Sequence, residues 1–262
     1  PYDPAFSDLY ADITIPPFPA SSHEQYDRMP DFIKNSMNRD RWAIRFRSPG
    51  RFQKSVKDYY RLVSGIDAVV GRIREELDKR GLAGDTVIVF TSDHGFFLGE
   101  YGFAGKWTPH ELSIRVPMIV HDPRLPQEKR GRRLDAMALN IDVAPTLLDY
   151  AGLEPPATMQ GRSLASLVEG EEPENWRNDF FYEHWFTAGG QIVPSEGYRD
   201  ERWKYARYLA PGEEEEGTAR WEELYDLKTD PYEMKNLAAL PEHAETLEKV
   251  RQSWSEWRER AK

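Results

Sequence analysis

The sequence predicts an α/β fold with a small antiparallel-sheet and helix subdomain at its carboxyl-terminal end, and three observations carry that expectation. A long amphipathic helix runs into a short, β-branched apolar strand, "TVIVF" at residues 86–90. A second strand, "VPMIVHDP" from Val116, follows at the spacing of an alternating α/β chain. From about residue 178 the texture becomes aromatic and strand-like with turns between the runs, "FFYEHWF", "EGYRDERWKYARYL" and "WEELYDLKTDP", which reads as a small antiparallel sheet.

Each element has a local reason. Residues 1–19 are rich in proline and aromatics and read as an extended surface segment. Across residues 54–80, Val56, Tyr59, Val63, Ile66, Val70, Ile73 and Leu77 recur at steps of three and four, which lines up one apolar stripe on a helix. Gly81 and Gly84 end it, and Asp85 leads into the strand, whose apolar run suits burial on both faces. Asp142 opens a short helix that includes Ala144 to Tyr150 and stops at Gly152, so it reads as a helix-start and packing residue. Residues 155–170 form a loop with a brief helix, residues 211–217 with four consecutive glutamates a solvated loop, and residues 241–261 an amphipathic closing helix. These shifts divide the chain into an α/β part, 1–170, and a small subdomain, 171–262.

Bulk properties narrow the function. Of the 262 residues, 39% are hydrophobic and 13% aromatic, enough for a real core. Thirty-five basic against forty-five acidic residues give a net charge of -10, which argues against a nucleic-acid or anionic-membrane partner, since both want a basic face. No apolar run approaches membrane-spanning length. The chain has no cysteine, which excludes disulfides and thiolate chemistry.

The chemistry concentrates in "VIVFTSDHGFFLGEYGFAGK", residues 87–106. Open α/β sheets present ligand-binding side chains at the carboxyl ends of their strands, where Asp93 and His94 fall. Gly95 would let the backbone turn sharply and approach a ligand. A lone strand-end aspartate more often just caps a turn, but an adjacent Asp-His-Gly with Lys106 beyond it is less ordinary. Asp93 suits a hard cation; His94 suits manganese or zinc as well as calcium. By itself Lys106 would be a solvated surface residue.

At these residues the sequence resembles the sulfatase family of the alkaline-phosphatase-like superfamily. The matching stretches, in order, are "VIVFTSDHGFFLGEYGFAGKW", "SIRVPMIV", "NIDVAPTLLDYAG", "MQGRSL" and "LYDLKTDPYEMKNLA". The resemblance implies the later strands of an alkaline-phosphatase-like α/β sandwich, and hydrolysis of a sulfate ester of a small molecule or sulfated sugar. It implies that Asp93 and His94 are metal ligands, usually to calcium (with manganese or zinc the alternatives on ligand chemistry), and that Lys106 contacts the sulfate. His110 stands where the family commonly has an aromatic, so it either lines the pocket or fills the aromatic's place. Glu183, His184 and Trp185 are candidates to hydrogen-bond and stack on a sugar, although strand alternation explains the aromatics equally well.

The family's nucleophile, a formylglycine made from Cys or Ser in Cys/Ser-x-Pro-x-Arg, has no counterpart: there is no cysteine and no Ser-x-Pro-x-Arg. The family's amino-terminal pair of aspartate ligands is absent too. The expectation is therefore a carboxyl-terminal half whose partner is the missing amino-terminal half, inactive alone. The rivals are a phosphodiesterase or phosphonate monoester hydrolase of the same superfamily, and a non-catalytic remnant that binds sulfated glycan.

Overall fold

The computed structural model describes residues 2–171, 173–209 and 219–261, so the glutamate-rich loop expected at 211–217 lies outside the described residues. Eight strands are described: β1 (Ile88–Thr91), β2 (Phe97–Leu98), β3 (Ala104–Gly105), β4 (Met118–His121), β5 (Asp179–His184), β6 (Ser195–Asp200), β7 (Trp203–Tyr208) and β8 (Trp221–Asp226). By contacts the chain forms two compact units, one of residues 1–66, 94–115 and 179–262, the other of residues 67–93 and 116–178. These units interleave in sequence, a different partition from 1–170 and 171–262.

The first unit is built on the antiparallel meander β5-β6-β7-β8. Its register sets Phe181 opposite Tyr198, Tyr198 opposite Tyr205, and Tyr205 opposite Leu224. Side chains alternate between the faces of a strand, and both faces are used. Tyr198, Tyr205 and Leu224 pack with Leu247 and Val250 of the closing helix, Ala244–Ala261. Ala206 and Tyr208 pack the other way, with Met29, Ile33, Phe97, Tyr101 and Phe103. Arg258 ties the closing helix to the sheet through the buried Glu196 at 2.8 Å. A further cluster gathers Ile15, Phe46, Val56 and Ala104 around the start of the helix Pro49–Lys79.

The second unit holds β1 paired antiparallel with β4, Val89 opposite Val120 and Phe90 opposite Ile119. Its best-satisfied feature is Asp142, which is 0% exposed. The Asp142 carboxylate accepts from the Leu139 and Arg162 backbone N–H groups at 2.7 and 2.8 Å and from both terminal nitrogens of Arg177. Gly161 sits so close to residue 141 that a Cβ there would come within 1.9 Å of the Ile141 carbonyl oxygen. Only glycine fits, and the tight approach brings the Arg162 N–H onto Asp142.

The expected burial of the first strand on both faces is corrected: every residue of β1 is half-buried, and Ile119 of β4 is 58% exposed. The helical stripe is present but only partly covered. Val56 is fully buried, whereas Val63, Ile66 and Ile73 are 50%, 49% and 52% exposed. For β1 the reason is simple geometry: among the described strands it pairs with β4 alone, and a sheet of two strands lacks the neighbours and second layer that bury a strand on both faces.

Candidate functional site

The loop after β1 carries Ser92, Asp93, His94 and Gly95. The Nδ1 of His94 lies 2.7 Å from the Gly95 carbonyl oxygen. Gly95 is needed for a different close approach from the one expected. Its N–H donates to the Ser113 carbonyl at 2.7 Å, and a Cβ would lie 2.2 Å from the Leu112 carbonyl oxygen. The neighbour is the chain's own backbone. Asp93 belongs to the second unit and His94 to the first.

The β2–β3 hairpin delivers Lys106. Leu98 pairs with Ala104 and Phe97 with Gly105, and the turn between them uses left-handed Gly99, Tyr101 and Gly102. Lys106 follows directly. Asn38, on the helix Met37–Arg45, donates its Nδ2 to the Lys106 carbonyl at 2.7 Å. The next residue, Trp107, holds φ at 81°, and the Arg41 guanidinium lies 4.5 Å from its ring centroid. A bulky residue held in that region is strained, and such strain concentrates at functional sites.

Of the candidates within the first unit, His184 lies within reach of the Lys106 charge. His184 ends β5; burial first, and the nearby Lys106 charge as a further cause, hold its imidazole below the usual range. It is therefore neutral at pH 7, able both to donate and to accept. Glu183 is exposed and set opposite Glu196, and as the preceding strand residue it points to the other face from His184.

His110 lies in the interior. Considered as a pocket-lining residue, it is 1% exposed, and it packs against Phe97, Tyr101 and Tyr225 with Nδ1 3.0 Å from the Thr108 hydroxyl. Burial pushes its pKa down to about 4, against the pull of Glu223.

Beneath it lies a charged cluster that sequence reasoning missed. Lys204 bonds Glu233 at 2.8 Å and Glu111 at 3.2 Å, Arg199 bonds Glu111 at 3.1 Å, and Glu233 accepts the Glu111 backbone N–H at 2.7 Å. Burial raises Glu223 and Glu233; on Glu111 burial works the same way, but Lys204 and Arg199 outweigh it and the net shift is down. The one signal in the sequence was "WKYARY" beside "WEELY", charges placed within aromatic strands. Among the described residues no three His, Asp or Glu side chains gather as a cation site.

Residues 15–153 match the sulfatase family, and residues 99–260 match the carboxyl-terminal domain of N-sulphoglucosamine sulphohydrolase. An N-acetylglucosamine-6-O-sulfatase of Bacteroides thetaiotaomicron is 35% identical over 205 residues, 77% of this chain and 35% of that protein. A structure solved in complex with its substrate, D-glucosamine-2-N,6-O-disulfate, superposes with a TM-score of 0.71 at 30% identity, covering 88% of this chain and 48% of the other. A phosphonate monoester hydrolase of Agrobacterium radiobacter also reaches 0.71, at 26% identity, over 90% of this chain and 52% of its own. The chain thus spans about a third to a half of the length of these relatives.

Proposed function

The chain belongs to the sulfatase family of the alkaline-phosphatase-like superfamily, and from that premise we propose that it carries the lysine side of a sulfate-ester hydrolase site. The observation that supports this most directly is the Lys106 charge felt at His184, with the strained Trp107 next to the lysine in sequence. The Lys106 ammonium is suited to a sulfuryl group on which negative charge builds as the ester bond breaks. The neutral imidazole of His184 then binds and orients the substrate, donating to an ester or sugar oxygen or accepting from a hydroxyl. A sulfated sugar is the substrate class, in keeping with the names and bound substrate of the relatives.

A hydrated formylglycine supplies the attack on sulfur in this reading, and no residue of the chain can become one. It comes from an amino-terminal partner half. Asp93 and His94 are assigned to a metal on the family pattern, calcium first, with manganese or zinc the alternatives. Two adjacent donors do not make a coordination sphere of about 6–8 oxygens, so this chain alone does not hold the ion well.

The test is to assay the purified chain on an aryl sulfate with and without the amino-terminal half carrying formylglycine. Turnover is expected only with both present. Turnover by the chain alone, free of contaminating enzyme, would overturn the proposal. The likeness to the phosphonate monoester hydrolase favours a second reading, and faster turnover of phosphonate monoesters or phosphodiesters than of sulfate esters would select it.

A further inference from the structure

The helix Met37–Arg45 and the stretch after it concentrate positive charge in a chain whose net charge is -10. Residues 37–54 hold five arginines and a lysine against one acid, Asp40. Two of the six cations have an evident use in the fold. Lys54 pairs with Asp58 at 2.5 Å, and Arg39 lies between the Tyr26 and Trp42 rings, 3.8 and 3.9 Å from their centroids.

The other four, Arg41, Arg45, Arg47 and Arg51, form no ion pair among the described residues. Arg45 and Arg51 each give an N–H to a backbone carbonyl, of Arg41 at 3.4 Å and of Ile44 at 2.8 Å. A carbonyl holds a guanidinium in place without cancelling its charge. Arg41 lies over the Trp107 ring, and Arg47 is exposed with no bond among the described residues. Each guanidinium carries five N–H donors, so most of this donor capacity faces outward unused.

These groups sit together, all within the first unit. Residues 38, 41 and 45 share one face of the helix, the face on which Asn38 donates to the Lys106 carbonyl and Arg41 meets Trp107. Arg51 reaches back to the last turn through the Ile44 carbonyl. The negative end of a helix dipole is worth only about half a charge, so it accounts for one of the four at most. A planar guanidinium fork suits sulfate and carboxylate groups, which it grips through two oxygens at once. The helix is nine residues and so roughly 13 Å long, room for a few anionic groups. The acidic remainder of the chain repels a long polyanion such as nucleic acid.

We propose that Arg41, Arg45, Arg47 and Arg51 form an anion-binding surface for the further sulfate or carboxylate groups of a glycan. The substrate class is then a chain bearing several anionic groups, not a singly sulfated sugar. The proposal rests on the sulfated-sugar reading above.

The experiment measures the binding of a heparin tetrasaccharide to the 262-residue chain by calorimetry. Arg47→Gln is expected to weaken binding about two- to fivefold, and Arg41→Gln with Arg47→Gln about five- to twentyfold, the effect of one and two lost charge contacts. Arg47 holds nothing in the described fold, so its variant stays folded, checked by its melting curve. Arg72→Gln with Arg74→Gln removes the same charge about six turns further along the helix Pro49–Lys79, and should change the affinity less than twofold. No binding, affinity unmoved by Arg47→Gln, or equal losses from the two double variants overturns the surface. A single-stranded oligonucleotide of equal charge bound as tightly overturns the glycan as its partner. Arginine-dependent binding by a chain whose assembled enzyme turns over no sulfate ester upholds the surface and overturns the proposed function instead.

Discussion

Arg177 grips Asp142 with both terminal nitrogens in an ion pair that is buried on both sides, 6% and 0% exposed. Replacing the guanidinium by a neutral chain would leave a carboxylate inside the protein with only two backbone N–H partners. Arg177→Met is therefore expected to cost about 3–5 kcal/mol, read as a drop in melting temperature. Adding Asp142→Asn should recover part of the loss. A single variant as stable as the parent would show that water reaches the carboxylate.

His110 makes stability depend on pH. Its folded pKa, about 4, lies below the unfolded value of about 6.5. Between those values the unfolded chain binds the proton and the folded one does not, so stability falls as pH drops from about 6.5 to 4. The contribution is on the order of 3 kcal/mol. The raised carboxyls Glu223 and Glu233 act with the opposite sign, so the useful quantity is the difference between parent and His110→Phe. The variant should lose less stability than the parent across that window, measured by denaturant unfolding at several pH values. Parallel curves would sink the idea.

Lys106 should separate activity from stability. In the assembled enzyme Lys106→Ala is expected to lower turnover about a hundredfold to a thousandfold, as loss of a preorganised charge contact does. Its melting temperature should stay close to that of the parent, because the side chain holds no salt bridge among those the structure describes. Turnover within a few-fold of the parent would make the lysine a surface charge only.

Metal content should distinguish two aspartates that a motif search treats alike. In the assembled enzyme Asp93→Ala is expected to abolish bound metal, measured by elemental analysis. Asp142→Ala should leave the metal in place and cost stability, since Arg177 and two backbone N–H groups occupy its oxygens. Metal retained without Asp93 would remove it from the ligand set.

Features set by local pattern were legible in the sequence. The stripe across 54–80 became the helix Pro49–Lys79, "TVIVF" became β1, and the aromatic runs became β5 to β8. Periodicity and turn chemistry are short-range, and they survive in a single sequence. What failed depended on distant partners. Val63 and Ile73 have the spacing of a buried stripe, yet whether another layer lies over them is decided elsewhere in the chain or outside it. For His110 the family pattern left two readings, pocket lining or an aromatic's place, and its enclosure by Phe97, Tyr101 and Tyr225 is a tertiary fact that no single sequence carries. The run of arginines after residue 38 is plain in the sequence, but which of them lack a carboxylate partner among the described residues is visible only once their surroundings are.

The first unit is assembled from three separated stretches of chain, and this has a consequence on the ribosome. Arg28 donates to the Met234 carbonyl across 206 residues, and Tyr101 to the Tyr232 carbonyl across 131. At about 5–20 residues per second of synthesis, the earlier partner of the longer pair waits roughly 10–40 s for the later one. During that interval Met29, Ile33, Phe97 and Phe103 have no sheet to pack on, because β7 has yet to emerge. These side chains therefore stay exposed on the nascent chain until β7 emerges, and slowing elongation between residue 103 and β7 prolongs the exposure of a core that only the later strands can close.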